Sequence, residues 1–115
     1  MEGSVYRGVV IEGSRRAREL GYPTLNIKLE DSTISGVFAA RVRLDETEYP
    51  AAAFADPERD LLEAHAIGFD GDAYGKEIEI ELLERLRDTR SFADDMQLKE
   101  AITADVVRAR EIATR

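Results

Sequence analysis

Gly21-Tyr22-Pro23-Thr24-Leu25-Asn26-Ile27-Lys28-Leu29-Glu30 is the stretch on which the reading of this 115-residue chain turns. From Thr24 onward it alternates. Leu25, Ile27 and Leu29 point one way, and Thr24, Asn26, Lys28 and Glu30 the other, the period of two that a half-buried strand imposes. Pro23 stands at the strand's start, where its missing N–H is tolerated. Thr24 and Asn26 leave the same face with Cα atoms roughly 7 Å apart. Two neutral oxygens so placed suit one hard cation such as Mg²⁺, with phosphate oxygens and water completing its shell. They equally suit the polar outer face of a strand.

The same period recurs on both sides of this stretch. Val5 to Ile11 is rich in β-branched residues and reads as a strand. Val37 to Leu44 sets Phe38, Ala40, Val42 and Leu44 against Ala39, Arg41 and Arg43. Asp45-Glu46-Thr47-Glu48 is a hairpin turn before Tyr49 to Phe54, and Asp56-Pro57-Glu58-Arg59-Asp60 is a second polar break. Leu61 to Phe69 puts Glu63, His65 and Ile67 on one face, with Ala64, Ala66 and Gly68 on the other, and Asp70-Gly71 turns the chain. Glu77 to Leu83 opposes Ile78, Ile80 and Leu82 to Glu77, Glu79 and Glu81. The last fifth changes period: Leu98, Ala101, Ile102, Val106, Ala109 and Ile112 fall at helical spacings, with Asp94 and Gln97 as a near capping box. The Gly13–Gly21 segment reads as a loop rather than a helix because glycines flank it. Five or six antiparallel strands at regular intervals imply a closed or nearly closed barrel, followed by an amphipathic helix that packs on it or plugs one end.

Composition narrows the function. The length fits one domain over residues 1–115, and 43% apolar residues suffice for its core. Cysteine is absent, so disulfides and thiolate chemistry are excluded, and with His65 as the single histidine no structural zinc is expected. The net charge of −8 argues against a nucleic-acid partner. No run of about 18 apolar residues exists to span a membrane, and Met1-Glu2-Gly3-Ser4 lacks the regions of a signal peptide. A cytoplasmic monomer is expected. An acidic protein that handles phosphate must gather positive charge locally.

Several segments carry candidate chemistry. Between Gly13 and Gly21, backbone N–H groups and Arg15, Arg16 and Arg18 suit phosphates or a solvated basic loop, but no Walker A pattern exists in the chain. Glu63, beside apolar neighbours, suits a general base of raised pKa or a surface carboxylate. His65 reads as a hydrogen-bonded structural residue. Asp72-Ala73-Tyr74-Gly75-Lys76 is a tight turn whose ring covers a base or caps the core. Leu86-Arg87-Asp88-Thr89-Arg90-Ser91-Phe92 is a loop that closes over a planar ligand or leads into the helix.

Taken in order, these segments match a known pattern. Gly21-Tyr22-Pro23-Thr24-Leu25-Asn26 resembles the G-[FY]-P-T-x-N signature of the riboflavin kinase family. Gly36-Val37-Phe38-Ala39 looks like its G-V-Y-A strand. Glu63-Ala64-His65 followed by Phe69, Asp72, Tyr74 and Gly75 resembles its E-x-H…F-x-x-D-x-Y-G segment. Leu86-Arg87 and Phe92, with the helix from Leu98 to Asp105, is similar to its L-R-x-x-x-x-F…L…I…D ending. The resemblance runs from Tyr6 to Ile112.

It implies a six-stranded antiparallel Greek-key β-barrel with a C-terminal amphipathic α-helix, moving the γ-phosphate of ATP to the 5′-hydroxyl of riboflavin to give FMN and ADP. By the same resemblance Thr24 and Asn26 hold Mg²⁺ and the ATP phosphates, Gly13 and Arg18 belong to the phosphate-covering loop, and Tyr74 lies near the nucleotide. Glu63 is the base, and Arg87 and Arg90 belong to the loop over the flavin. The alternative is a non-catalytic flavin- or nucleotide-binding module on the same barrel. The chain departs from the family pattern at Ala17, where a second glycine is usual, at the short Ala51–Pro57 stretch, which lacks a G-x-x-P-[TY] pattern, and at Thr89, where a glutamate is common. No FAD synthesis is expected from a chain of this size.

Overall fold

A computed structural model describes residues 4–13 and 16–115. Arg15, expected to face phosphate, and Met1 to Gly3 lie outside the described residues. The elements run β1 (Val5–Val9), α1 (Arg16–Glu19), β2 (Leu25–Lys28), β3 (Gly36–Leu44), β4 (Thr47–Asp56), β5 (Leu61–Ala66), β6 (Glu77–Arg87) and α2 (Asp95–Ala113).

The strands form one antiparallel sheet in the order β1-β6-β3-β4-β5-β2. Within it β3, β4 and β5 are consecutive neighbours, and β6 returns to lie beside β3, which is the Greek-key connection. The two outer strands meet where Ile11 N–H donates to Asn26 O at 2.8 Å, so the sheet curls into a nearly closed barrel. Inward positions read from the alternation fill it, with Ile27, Val42, Ile78, Ile80 and Leu82 fully buried, and Leu62 joins them. Each such side chain contributes about 1.5–3 kcal/mol over an exposed one.

Alternation fails on β3, where Phe38, Ala39 and Ala40 are all buried. The reason is α2, which packs on the outside of β3, β4 and β6 and does not plug an end. Ala39 meets Ala109 and Ile112, flanked by Ala52, Leu83 and Leu86. Small residues on the strands let the helix approach closely, and the leucines complete the contact. The helix begins as expected: the Asp94 carboxylate accepts from Gln97 N–H at 2.9 Å, and Gln97 Oε1 accepts from Ala93 N–H at 3.3 Å.

Three other sequence readings change. Arg16–Glu19 is a short helix instead of a loop. It ends in a Schellman turn: Tyr22 N–H donates to Ala17 O at 2.8 Å, Gly21 N–H to Arg18 O at 3.0 Å, and Gly21 has φ +98°. Ala17 is helical and needs no positive φ, so alanine suits the position. β5 stops at Ala66 and not at Phe69, because Gly68 (φ +92°) turns the chain. β6 continues past Leu83 to Arg87 through two register shifts against β3, which is why Leu83 and Leu86 face the helix. The β3–β4 hairpin turns through Asp45 (φ 49°) and Glu46 (φ 68°), both left-handed, as a two-residue type I′ loop demands.

Candidate active site

β2 and β5 run side by side with Asn26 directly opposite Glu63. Glu63 is buried, 6% exposed, and so is Asn26, at 4%. Asn26 is therefore not part of a solvated outer face. The chain after β1 folds over it, so closely that a Cβ on Gly13 would stand 2.7 Å from Asn26 Cγ. Thr24 Oγ1 donates to Asn26 Oδ1 at 3.2 Å, which brings the two oxygens together on one face as their spacing requires. Burial pushes the Glu63 carboxyl above the usual glutamate range, and the Arg59 guanidinium beside it pulls in the opposite direction without cancelling the effect. Arg59 Nη2 donates to Glu63 Oε2 at 2.7 Å, and its Nε donates to Asp56 Oδ2 at 2.6 Å.

The turn that leads into β2 is fixed from two sides. His65 Nδ1 meets Pro23 O at 2.7 Å, and the Tyr22 ring packs edge-on to the imidazole with centroids 5.3 Å apart. The histidine thus has the structural hydrogen bond its sequence setting suggested. Tyr22 OH also meets Thr103 Oγ1 at 2.5 Å, and Arg16 Nη2 pairs with Asp95 Oδ1 at 2.8 Å. Both contacts tie the α1 segment to α2.

On the far side, Arg87 closes β6. Its Nη2 and Nε donate to the Asp105 carboxylate at 2.7 and 3.0 Å, and its Nη1 donates to Asp88 O at 3.2 Å. Phe92 folds back beneath two guanidinium groups, 5.6 Å from Arg87 and 4.9 Å from Arg90. Between these two sides lies a cavity of about 420 Å³, within the range of small-molecule sites. Thr24, Arg59, Glu63 and His65 line one wall, and Val37, Phe54, Arg87, Arg90, Phe92 and Leu98 line others.

Of the residues singled out from sequence, Arg16, Thr24, Glu63, His65, Arg87, Arg90 and Phe92 line this cavity. Asn26 stands behind them, and Gly13 behind Asn26. Arg18 is exposed on α1 and does not line it. Tyr74 is also outside it. At 48% exposure Tyr74 does not cap the core, and its turn is joined to β1's end by Gly75 N–H donating to Val10 O at 3.1 Å. Sequence reasoning missed Arg59, which stood in a segment read only as a polar break, and it matched Asp105 to the aspartate of the resembled ending without giving it a partner on the buried side of the helix. The position of Asp105, three residues after the apolar Ile102 and four before Ala109, is the signal that places it on the covered face. Nothing in the spacing of Arg59 pointed to Glu63.

A family model for riboflavin kinase, the flavokinase domain, matches residues 3–113. The chain belongs to the riboflavin kinase family. This is a family of ATP-dependent kinases that act on riboflavin, and its members generally use a divalent cation. Over 109 residues the chain is 36% identical to the bifunctional riboflavin kinase/FMN adenylyltransferase of Mycoplasma pneumoniae, covering 90% of this chain and 40% of that relative. The chain thus spans well under half of that protein. Among solved structures, riboflavin kinase from Trypanosoma brucei superposes with a TM-score of 0.68 at 26% identity, over 96% of this chain and 80% of that one. A crystal structure described as a macrolide-efflux protein from Streptococcus pneumoniae gives a TM-score of 0.78 at 30% identity, over 92% of this chain and 38% of that one. No helix among the described residues is long and apolar enough to cross a membrane.

Proposed function

We propose that this riboflavin kinase domain moves the terminal phosphate of ATP to the 5′-hydroxyl of riboflavin, with Glu63 as the base that takes the hydroxyl proton. The observation that carries the reading is the placement of a buried carboxylate directly opposite Asn26, in a cavity that Thr24 also lines. Geometry comes first for a base, and a pKa raised by burial then suits proton abstraction near neutral pH.

The donor set fits a divalent cation held mainly by phosphate. Two neutral oxygens, Thr24 Oγ1 and Asn26 Oδ1, lie 3.2 Å apart beside one carboxylate. Among the described residues no cluster of three or more His, Cys, Asp or Glu side chains could hold a metal unaided. Mg²⁺ keeps several waters and binds through few protein oxygens plus substrate phosphates, so Thr24 and Asn26 would hold it. Bound there with ATP, it would neutralise charge on the phosphate oxygens. The chain's own residues do the rest. Glu63 accepts the proton of the acceptor hydroxyl. Val37, Phe54, Leu98 and Phe92 give the flavin an apolar wall that excludes water, and Arg90 and Phe92 orient its ring from the rim. Gly13 and Arg18 face the nucleotide side, with Tyr74 beyond them, and Arg87 holds the rim loop. In the same reading residues 1–115 act as one kinase domain, a monomer in the cytoplasm, consistent with the absence of cysteine.

The test is chromatographic. Incubation with riboflavin, Mg²⁺ and ATP should yield FMN and ADP. Glu63→Gln should lower turnover by about 10²–10⁴-fold while ADP and FMN still bind, and Thr24→Ala should weaken Mg-nucleotide binding. Ligand binding without FMN in the native chain would instead favour a non-catalytic module. Near-native turnover in Glu63→Gln would remove Glu63 as the base.

A further inference from the structure

We propose that Arg59 is a positioning residue: it holds one carboxylate oxygen of Glu63 so that the other faces the acceptor hydroxyl, an inference that rests on the reading of Glu63 as the base. Arg59 belongs to the short turn between β4 and β5, just after the Ala51–Pro57 stretch in which this chain departs from the family pattern. There Arg59 N–H donates to Asp56 O at 3.3 Å and Asp60 N–H to Pro57 O at 3.4 Å, while Asp60 adopts φ 54°. The turn folds the guanidinium back over the strands it has just joined.

Two anchors fix that guanidinium. Nε is bonded to Asp56 Oδ2 and Nη2 to Glu63 Oε2, at 2.6 and 2.7 Å. The rigid fork therefore spans both carboxylates, and charge-assisted bonds of this length are the strong ones. The carboxylates are the enclosed partners, with side chains 15% and 7% exposed, while Arg59 is 44% exposed and forms the outer wall. The second oxygen, Glu63 Oε1, accepts no hydrogen bond among the described residues. It is nonetheless not sealed in protein, because no buried side-chain oxygen among the described residues lacks a partner. Glu63 lines the cavity, and Oε1, the oxygen that Arg59 does not hold, is the one we assign to it. Arg59 thus makes the two oxygens unequal: Oε2 is tied back, Oε1 is presented.

A glutamate without this tie is free to turn about its terminal torsion and to share either oxygen with solvent. Misalignment of a reacting group by about 1 Å costs on the order of 10²-fold in rate. The expected signature is a loss in kcat with little change in KM for either substrate, since Arg59 acts on the base and not on substrate affinity.

The experiment compares FMN formation by the native chain, Glu63→Gln, Arg59→Gln, Arg59→Lys and the Glu63→Gln/Arg59→Gln double variant. Arg59→Gln should lower kcat about 10–100-fold, and Arg59→Lys should recover part of it by keeping the charge without the fork. In the Glu63→Gln background Arg59→Gln should cost nothing further, because no carboxylate remains to orient. Asp56→Asn, which leaves Arg59 in place but loosens its other anchor, should lower kcat in the same direction and serves if Arg59→Gln folds poorly. A slowed Glu63→Gln enzyme combined with native kcat in Arg59→Gln or Asp56→Asn overturns the proposal alone. So does an equal fold-loss from Arg59→Gln in both backgrounds, which marks a purely structural role. Native turnover in Glu63→Gln overturns the reading of the base, and the proposal with it.

Discussion

Asp105→Asn should lower the melting temperature by about 8 °C. The substitution keeps the side chain's shape and costs little in helix propensity, so what it removes is charge. In the native chain that charge meets Arg87 through a two-pronged contact of 2.7 and 3.0 Å, fastening α2 to the end of β6. The pair is largely enclosed, with side chains 24% and 11% exposed for Arg87 and Asp105. Removing one partner of a fully buried pair costs about 3–5 kcal/mol. The partial exposure of Arg87 lets water recover some of this, which leaves about 2 kcal/mol. Unfolding entropy of ~2.1 cal/mol/K per residue gives about 0.24 kcal/mol/K for this length, hence the figure of about 8 °C. Thermal unfolding followed by circular dichroism or calorimetry measures it. The reasoning carries a second demand: Arg87→Met combined with Asp105→Leu should recover most of the loss, because apolar packing replaces a buried pair well. A single variant that melts within 1 °C of native would refute the argument that this pair fastens the helix.

Gly13→Ala places a methyl group 2.7–3.0 Å from the Asn26 carboxamide, so it should displace that side chain and weaken Mg-nucleotide binding with riboflavin binding unchanged, as isothermal titration of each ligand would show. Glu46→Gly relieves a left-handed residue in the type I′ turn and should stabilise the fold by about 0.5–1 kcal/mol, a rise of roughly 2–4 °C in melting temperature. Because burial raises the Glu63 pKa, turnover should fall with decreasing pH along a limb above the ordinary glutamate range, and Glu63→Gln should lack that limb in a pH–rate profile. The same shift has a sign for stability: Glu63's contribution is fully present below its unfolded pKa and is lost as pH rises through its folded pKa, so Glu63→Gln should melt higher than native at pH 7 even as it loses turnover.

What the sequence made legible was whatever depends on local period. Leu25 and Ile27 on β2, and Ile78, Ile80 and Leu82 on β6, point inward as their spacing required, and the Asp94–Gln97 cap starts the helix where it was expected. Features that depend on which segments meet were not legible. Asn26 looked solvent-facing because nothing in its strand reveals that Gly13 folds over it. Leu83 and Leu86 broke the alternation, and only the register shifts against β3 explain them. Arg16–Glu19 is too short to show a helical period and is defined by its terminal turn at Gly21. For the candidate site, Thr24 and Glu63 were readable through motif resemblance. Arg59 was not, and Asp105 was matched without a contact, since each acts through a partner on a different element.

Asn26 is engaged twice in this barrel: its carbonyl receives the Ile11 amide that joins the first strand's chain to the last strand of the sheet, and its carboxamide oxygen accepts from Thr24, which lines the cavity. Completing the circle and assembling the proposed active site are therefore one event. A nucleotide held at that seam, as proposed, would act as a clasp across the join and resist unzipping of the circle by mass action. Hydrogen exchange at the Ile11 amide should slow more on nucleotide binding than exchange at amides between β3 and β4, far from the join.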